Sequence, residues 1–310
     1  MTGRSASCFI IATRNRPDSL LRTVRNLFEQ TVLPRELCIV DSSDDTPTRT
    51  EIERLCGDAG VALDYVHPAP RGLTVQRNIG IDRTTGDPLC FIDDDIWMRP
   101  DAHEEVLAEF ARWGPEIGGV RGMPVEPPQP GTLTVLWRRF FLMGGWWPKG
   151  SGRVRASFFG EGVSSTDVVY RVEFFTGLFM AFRRQVFEYE RFDEKLVGYG
   201  FKEDVDFSYR VFKRGYLLVQ TPNARIQHLQ SSTERMRAFE LQRMHVANIF
   251  YLHQKNMPRT LKYRAALWWA LLGTLLLDTG RALRARDAGY VAGLAAGLLD
   301  NVRGRGPSRE

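Results

Sequence analysis

Cysteine is scarce in this 310-residue chain: four residues, Cys8, Cys38, Cys56 and Cys90, with no Cys-x-x-Cys spacing among them. Three lie in apolar, strand-like runs, so no disulfide framework is expected and the thiols are predicted to be buried, in a reducing compartment. Long apolar runs are absent too. The charge-free stretches at 265–277 and 288–299 come nearest, yet thirteen helical residues reach only about 20 Å against a hydrocarbon core of about 30 Å. The first strand begins too early and is interrupted too soon to be a secretory signal, which predicts a cytoplasmic location. Surplus charge is missing from most of the sequence. The net charge is +5, but residues 258–310 hold nine basic and four acidic side chains, leaving 33 of each sign before them. That balance argues against a nucleic-acid-binding surface on the main body and for an anionic surface as partner near the C-terminus.

What is present is an alternation. Residues 7–12 form a buried-type strand, and Pro17 fits the first turn of a helix carried by Leu20, Leu21, Val24, Leu27 and Phe28. Residues 36–40 repeat the strand, ending at Asp41 in a polar turn that feeds a helix through Ile52 and Leu55. Strands at 62–66 and 88–92 follow, with a helix opening at 76–81 between them. Short continuous apolar strands between helices predict an α/β fold, a mostly parallel sheet flanked by helices. From 120 to 184 the pattern changes. Pro124, Pro127, Pro128 and Pro130 argue against regular structure there, and 144–148 and 150–162 read as long loops of the kind that hold substrates. Residues 172–182 read as a strand in which Gly177 allows close approach of another group.

The strand of Cys90, Phe91 and Ile92 runs into Asp93, Asp94 and Asp95. A strand core cannot hold three adjacent carboxylates, so they belong at its C-terminal edge, where open α/β sheets place their ligands. Adjacent like charges raise one another's pKa unless a cation neutralises them. Hard oxygen ligands suit Mg²⁺ or Mn²⁺, whose further ligands are commonly substrate phosphates. A second acidic pair, Glu203 and Asp204, opens a helix carried by Val205, Tyr209, Val211 and Phe212 and stopped by Gly215. Acids there also complement the helix dipole, but Gly198 and Gly200 set an adaptable loop before them.

In this order, the strand with Thr13, Arg14, Asn15 and Arg16, the strand end at Asp41, the Asp triplet and the Glu203–Asp204 pair resemble glycosyltransferase family 2, over about residues 7–255. The resemblance implies a GT-A fold with a Rossmann-like nucleotide half. It implies inverting transfer of one sugar from a nucleotide donor, a UDP- or dTDP-sugar, to a glycan or lipid-linked acceptor in cell-surface polysaccharide synthesis. Thr13 and Arg14 would lie at the nucleotide, Asp41 on the pyrimidine ring and Arg77 toward the phosphates. Asp95 would bind the cation, Asp93 would contact ribose and share the metal, and Asp94 would assist either. His228 would join the metal or phosphate site. Asp204 is implied as the catalytic base, and Glu203 as the residue that positions the acceptor or the base. Trp146, Trp147 and Gly177 are acceptor candidates, though the tryptophans serve equally as core fillers. The Gln-x-x-Arg-Trp motif of processive members is missing from 240–248, which implies one sugar per encounter. A sugar nucleotidyltransferase would carry a glycine-rich loop after the first strand, and residues 13–17 have no glycine; a non-catalytic scaffold would have lost an acidic centre, and both are intact.

The expected organisation is a GT-A domain over 1–257, with a nucleotide-sugar half at about 7–120 and an acceptor half at 121–257. A helical pair at 258–303 and a flexible tail at 304–310 follow. Gly289, Gly293 and Gly297, four apart, line one helix face and permit close helix contact. Arg281, Arg284 and Arg286 lie between the two apolar runs, and Trp268 and Trp269 suit a headgroup zone. The pair is therefore expected to lie in plane on an anionic membrane, peripheral or monotopic at the inner face; the alternative is packing on the domain itself.

Overall fold

The computed structural model describes residues 3–127, 129–147, 150–164, 167–229 and 237–304. Its early strands are β1 (Gly3–Arg4), β2 (Cys8–Thr13), β3 (Val32–Leu33), β4 (Glu36–Asp41), β5 (Ala62–Val66), β6 (Leu89–Ile92), β7 (Ile96–Met98) and β8 (Ile117–Pro124). The later ones are β9 (Gly145–Trp147), β10 (Arg153–Val154), β11 (Gly160–Val163), β12 (Tyr170–Arg171), β13 (Phe179–Phe182) and β14 (Leu217–His228). Helices are α1 (Pro17–Phe28), α2 (Arg49–Ala59), α3 (Leu73–Arg83), α4 (Ala102–Trp113) and α5 (Thr132–Phe140). Next come α6 (Glu203–Lys213), α7 (Ala238–Asn256), α8 (Leu261–Ala285) and α9 (Gly289–Val302). The chain divides into two units. The first is Met1–Pro127, Thr166–Glu194 and Phe207–Ser231; the second is Pro128–Ser165, Lys195–Asp206 and Ser232–Glu310.

The first unit is built on a sheet of order β12-β14-β8-β13-β6-β2-β4-β5, with β7 paired to β14. Strands β5, β4, β2 and β6 run parallel, as the alternation predicts. Strand β13 is antiparallel to both β6 and β8, which makes the sheet mixed. The uninterrupted apolar runs follow from burial on both faces. Phe9, Ile11, Leu37, Ile39, Cys90 and Ile92 point into one core, with Leu20, Val24 and Leu27 of α1. Their neighbours Cys8, Ile10, Cys38, Val40, Leu89 and Phe91 point into the other, with Phe207 and Val211 of α6. Period-two alternation thus feeds two cores from one strand. All four cysteines are free and buried, and burial pushes Cys8, Cys38 and Cys56 up to about 12.

Between 120 and 184 the structure is more regular than the prolines suggest. Strand β8 runs through Pro124, and α5 occupies 132–140. The glycine-rich stretches at 144–147 and 150–162 hold a small sheet of order β10-β11-β9, while Pro148 lies outside the described residues. Their glycines serve close backbone approach, because a Cβ on Gly144 would lie 2.3 Å from the Gly160 carbonyl oxygen. The strand expected over 172–182 is confined to Phe179–Phe182; Leu178 just before it has φ 81°, which breaks an extended run.

In the second unit, the C-terminal apolar runs are longer helices than their charge-free cores. Helix α8 continues through Arg281 and Arg284, both good helix formers, and ends at Arg286 in the left-handed region. Among the described residues no helix is long and apolar enough to cross a membrane. Of the expected tail, Arg305–Glu310 lie outside the described residues. The glycine face of α9 packs on α7: a Cβ on Gly293 would lie 2.3 Å from the Phe239 carbonyl oxygen, and one on Gly297 2.7 Å from that of Arg243. Arg243 Nε on α7 also pairs with Asp300 on α9 at 2.6 Å. Gly293→Leu is therefore expected to lower stability by about 1–3 kcal/mol, the usual cost of overpacking, read as a lower denaturation midpoint. An unchanged midpoint would mean that α9 is not held by this contact.

Candidate functional site in the sheet edge

The parallel strands of the first unit end together. Thr13 of β2 is in register with Asp41 of β4, and Ile11 with Ile92 of β6, so the Asp triplet leaves the sheet level with Thr13. The chain there is fixed by buried groups. Thr23 on α1 donates its hydroxyl to the carbonyl of Asp94 at 2.9 Å and accepts from the Ile96 N–H at 3.2 Å. Gln76 on α3 donates to the carbonyls of Thr13 at 3.0 Å and Val40 at 2.7 Å, joining the ends of β2 and β4. Asp93 N–H donates to the Leu178 carbonyl at 3.3 Å, next to Gly177.

The carboxylates have distinct partners. Asp94 accepts from the Thr13 hydroxyl at 2.6 Å and from Arg16 at 3.2 Å. Asp95 accepts from Arg16 at 3.1 Å, and its other oxygen lies 3.3 Å from His228 Nε2. Asp93 is less buried and receives Arg77 at 3.3 Å, whose guanidinium lies over the Phe192 ring. His228 is delivered by register: β14 pairs His228 with Ile96, and the Leu229 N–H donates to the Asp95 carbonyl at 2.7 Å. One ligand atom each from Asp93, Asp95 and His228 lies within 4.8 Å of the others. Burial pushes Asp94 up to about 6 against the lowering effect of Thr13 and Arg16. Burial also raises Asp95, opposed chiefly by His228. Two oxygen donors and an imidazole, with the Asp95 carboxyl held above its usual range by desolvation, suit a divalent cation.

Asp41 is 2% exposed, with one oxygen on the Ser43 N–H at 2.8 Å and the other on the Tyr65 hydroxyl at 2.6 Å. The Ser43 contact is the turn geometry that an Asp in this position favours; each oxygen keeps a second lone pair. Arg14 is exposed. Arg16, part of the Thr13–Arg16 stretch but without an expected role, is the residue that bridges Asp94 and Asp95. Its signal was slight: Asn15 has φ 53°, a conformation Asn tolerates, and that turn brings the next side chain back over the sheet edge.

In the second unit, Glu203 and Asp204 occupy the first turn of α6. Gly198, Gly200 and Lys202 before them all have positive φ, and the Phe201 carbonyl accepts from Asn248 on α7 at 2.9 Å. Glu203 is buried and Asp204 half-buried; an Asp204 oxygen accepts the Val205 N–H at 2.7 Å. Asp206 is fully buried, accepting from Lys255 and Asn256 at 2.8 Å each. Lys202 lies over the Phe159 ring at 4.9 Å, and burial pushes its ammonium down to about 8, against Asp204. Trp147 is 2% exposed with its indole N–H on Glu161 at 3.0 Å, the core-filling alternative. Trp146 is half-buried, packed where a Cβ on Gly162 would sit.

Comparison with known proteins gives these features a context. The family model "Glycosyl transferase family 2" matches residues 8–189. The glucosyl-dolichyl phosphate glucuronosyltransferase of Haloferax volcanii is 31% identical over 113 residues, covering 36% of this chain and 34% of that protein. The succinoglycan biosynthesis protein ExoM of Rhizobium meliloti is 30% identical over 94 residues, 29% of this chain and 30% of that one. The chain thus spans about a third of the length of the curated relatives it matches. Among solved structures, the mannosyltransferase PcManGT from Pyrobaculum calidifontis in complex with GDP-Man and Mn²⁺ superposes with a TM-score of 0.59 at 18% identity, over 97% of this chain and 88% of that one. GalNAc-T7 with UDP, GalNAc and Mn²⁺ gives 0.57 at 18% identity, over 74% and 45%. The shared architecture is the GT-A fold.

Proposed function

The chain belongs to glycosyl transferase family 2, and from that premise we propose that it is an inverting, metal-dependent glycosyltransferase that moves one sugar per encounter. The observation that carries the proposal is the convergence of Asp93, Asp95 and His228 within 4.8 Å at the sheet edge. These three residues would hold Mg²⁺ or Mn²⁺, which supplies Lewis-acid charge to a leaving nucleoside diphosphate. Thr13 and Arg14 would meet the nucleotide. Asp41, with a free lone pair on each oxygen, would accept from a pyrimidine N–H, which favours a UDP- or dTDP-sugar. Arg77 would balance the diphosphate, Asp93 would also reach ribose, and Asp94 would hold Thr13 and Arg16 in place.

For the transfer itself, Asp204 is the proposed base. The acceptor oxygen bonds to the anomeric carbon, the bond from that carbon to the diphosphate breaks, and the acceptor's proton passes to Asp204. Glu203 positions the base. A glycan or lipid-linked acceptor in cell-surface polysaccharide synthesis fits this reading. Trp146 and Gly177 remain its proposed contacts in their own units, and a peripheral position at the inner membrane face is proposed with it.

A thermal-shift panel of UDP, dTDP and GDP, each with and without Mn²⁺, tests the donor side. At a hundred times Kd, a pyrimidine diphosphate with Mn²⁺ should stabilise the chain by about 2.7 kcal/mol. A preference for GDP would overturn the pyrimidine assignment, because guanine also offers N–H donors to the Asp41 carboxylate. NMR of the product should show inversion at the anomeric carbon; retention would overturn the single displacement.

A further inference from the structure

Helix α8 carries an exposed apolar stripe along its whole length. Leu261, Trp268, Trp269, Leu272, Leu276 and Leu283 are all exposed, Trp269 least at 38%. At 3.6 residues per turn they fall within about 100° of the helix circumference. The opposite side is the buried one, with Leu267, Ala270, Leu271 and Thr274. Helix α5 widens the stripe: Leu133, Leu136 and Phe140 are exposed at i, i+3 and i+7. The two helices join there, since Trp269 Nε1 donates to the Phe140 carbonyl at 2.7 Å and their rings meet edge-on at 5.3 Å. Nine of the sixteen exposed large apolar side chains among the described residues lie on these two helices. Scattered singly they would need no explanation; gathered on one face they mark a contact surface.

Charge brackets this face. Arg259, Lys262 and Arg264 lie at one end of α8, and Arg284 and Arg286 at the other, all exposed. Between them the only ionisable side chains are Asp278 and Arg281, which pair with each other at 3.0 Å on the side of the helix away from the stripe. At the first end, a cavity of about 370 Å³ is lined by Phe250, His253, Arg259, Arg264, Leu267 and Trp268. Two guanidinium groups over apolar walls suit a phosphate with attached hydrocarbon.

We infer that the α5–α8 face lies in the interface of an anionic bilayer, with phosphate headgroups drawn to the arginines at each end. This rests on the membrane-surface part of the proposed function and revises its expected anchor: α9 spends its glycine face on α7, and α5 takes its place beside α8. A leucine and tryptophan face with cations at both ends of the helix suits an in-plane position, the apolar face at the acyl boundary and the cations among anionic headgroups. A second copy fits less well, because a two-fold axis across the stripe would set basic ends together.

The test uses the full chain and vesicles of phosphatidylcholine with or without phosphatidylglycerol. Wild type should cosediment with the anionic vesicles at low salt and be released at high salt. The exposed double variant Leu272→Asp/Leu276→Asp should weaken that binding at least tenfold, with its melting temperature and nucleotide response kept. Arg259→Gln and Arg264→Gln should each weaken it about fivefold, the equivalent of about 1 kcal/mol per basic residue. Wild type that responds to nucleoside diphosphate with Mn²⁺ yet ignores vesicles would overturn this inference and leave the transfer reading standing. A lipid-free dimer that the double variant converts to monomer would overturn it too, giving the face to a second copy.

Discussion

Asp95→Ala is expected to abolish the Mn²⁺-dependent stabilisation by UDP or dTDP while the unliganded protein stays folded. Asp95 offers an oxygen 3.3 Å from His228 Nε2 and is one of three groups whose ligand atoms lie within 4.8 Å of one another. Alanine leaves Asp93 and His228, too few protein donors to hold a hard cation in competition with water. The unliganded fold should tolerate the loss. Asp95 is an acid whose charged form burial disfavours, so its removal takes away a desolvated charge. Arg16 is left with Asp94 and with solvent, its side chain being one-third exposed, so no cation is stranded. A change of at most about 1 kcal/mol in unliganded stability follows. Against it stands the loss of the whole ligand contribution, about 2.7 kcal/mol at a hundred times Kd. Thermal melts of both proteins with diphosphate, with and without Mn²⁺, separate these effects. An unchanged Mn²⁺-dependent shift in Asp95→Ala would take the triplet out of the metal site.

What was legible in the sequence was what local pattern dictates. Phe9 to Val40 reads as strand, helix, strand because both faces of those strands are covered, and each residue between Cys8 and Ile11 is buried in one of two cores. The triplet was legible because no strand interior accepts three carboxylates. His228 was visible as a candidate, but its place beside Asp95 comes from β14 pairing with β7, a contact between residues more than a hundred positions apart. The role of Arg16 was missed for the same reason. Its guanidinium meets Asp94 and Asp95 only after the sheet has set β2 beside β6, and an arginine ahead of a helix proline is otherwise unremarkable in sequence. The small sheet β10-β11-β9 was hidden because glycine reads as a loop signal unless the opposing backbone is known. In the tail, the glycine spacing gave close helix contact, whereas the surface formed with α5 depends on the Trp269–Phe140 contact across 129 residues.

The largest kinetic effect is expected at Asp204. Asp204→Asn should lower kcat by about 10²–10⁴ with donor affinity near wild type, the range that general-base catalysis commonly supplies. The substitution is mild for the fold: the oxygen that accepts the Val205 N–H at 2.7 Å has an equivalent in the amide, so the turn at the start of α6 is kept. What the amide lacks is affinity for a proton. Asp206, two residues on, provides the contrast. Its carboxylate is fully buried between Lys255 and Asn256, so Asp206→Asn removes the charge that Lys255 needs and should lower the denaturation midpoint. An acid present only for the helix dipole would behave as neither, because neutralising it costs a few tenths of a kcal/mol and leaves turnover alone. Single-turnover rates, donor titration and melting curves on the two variants therefore separate the roles of Asp204 and Asp206. If Asp204→Asn turns over normally, or loses donor binding in step with rate, Asp204 is not the base and the proton must leave through another group.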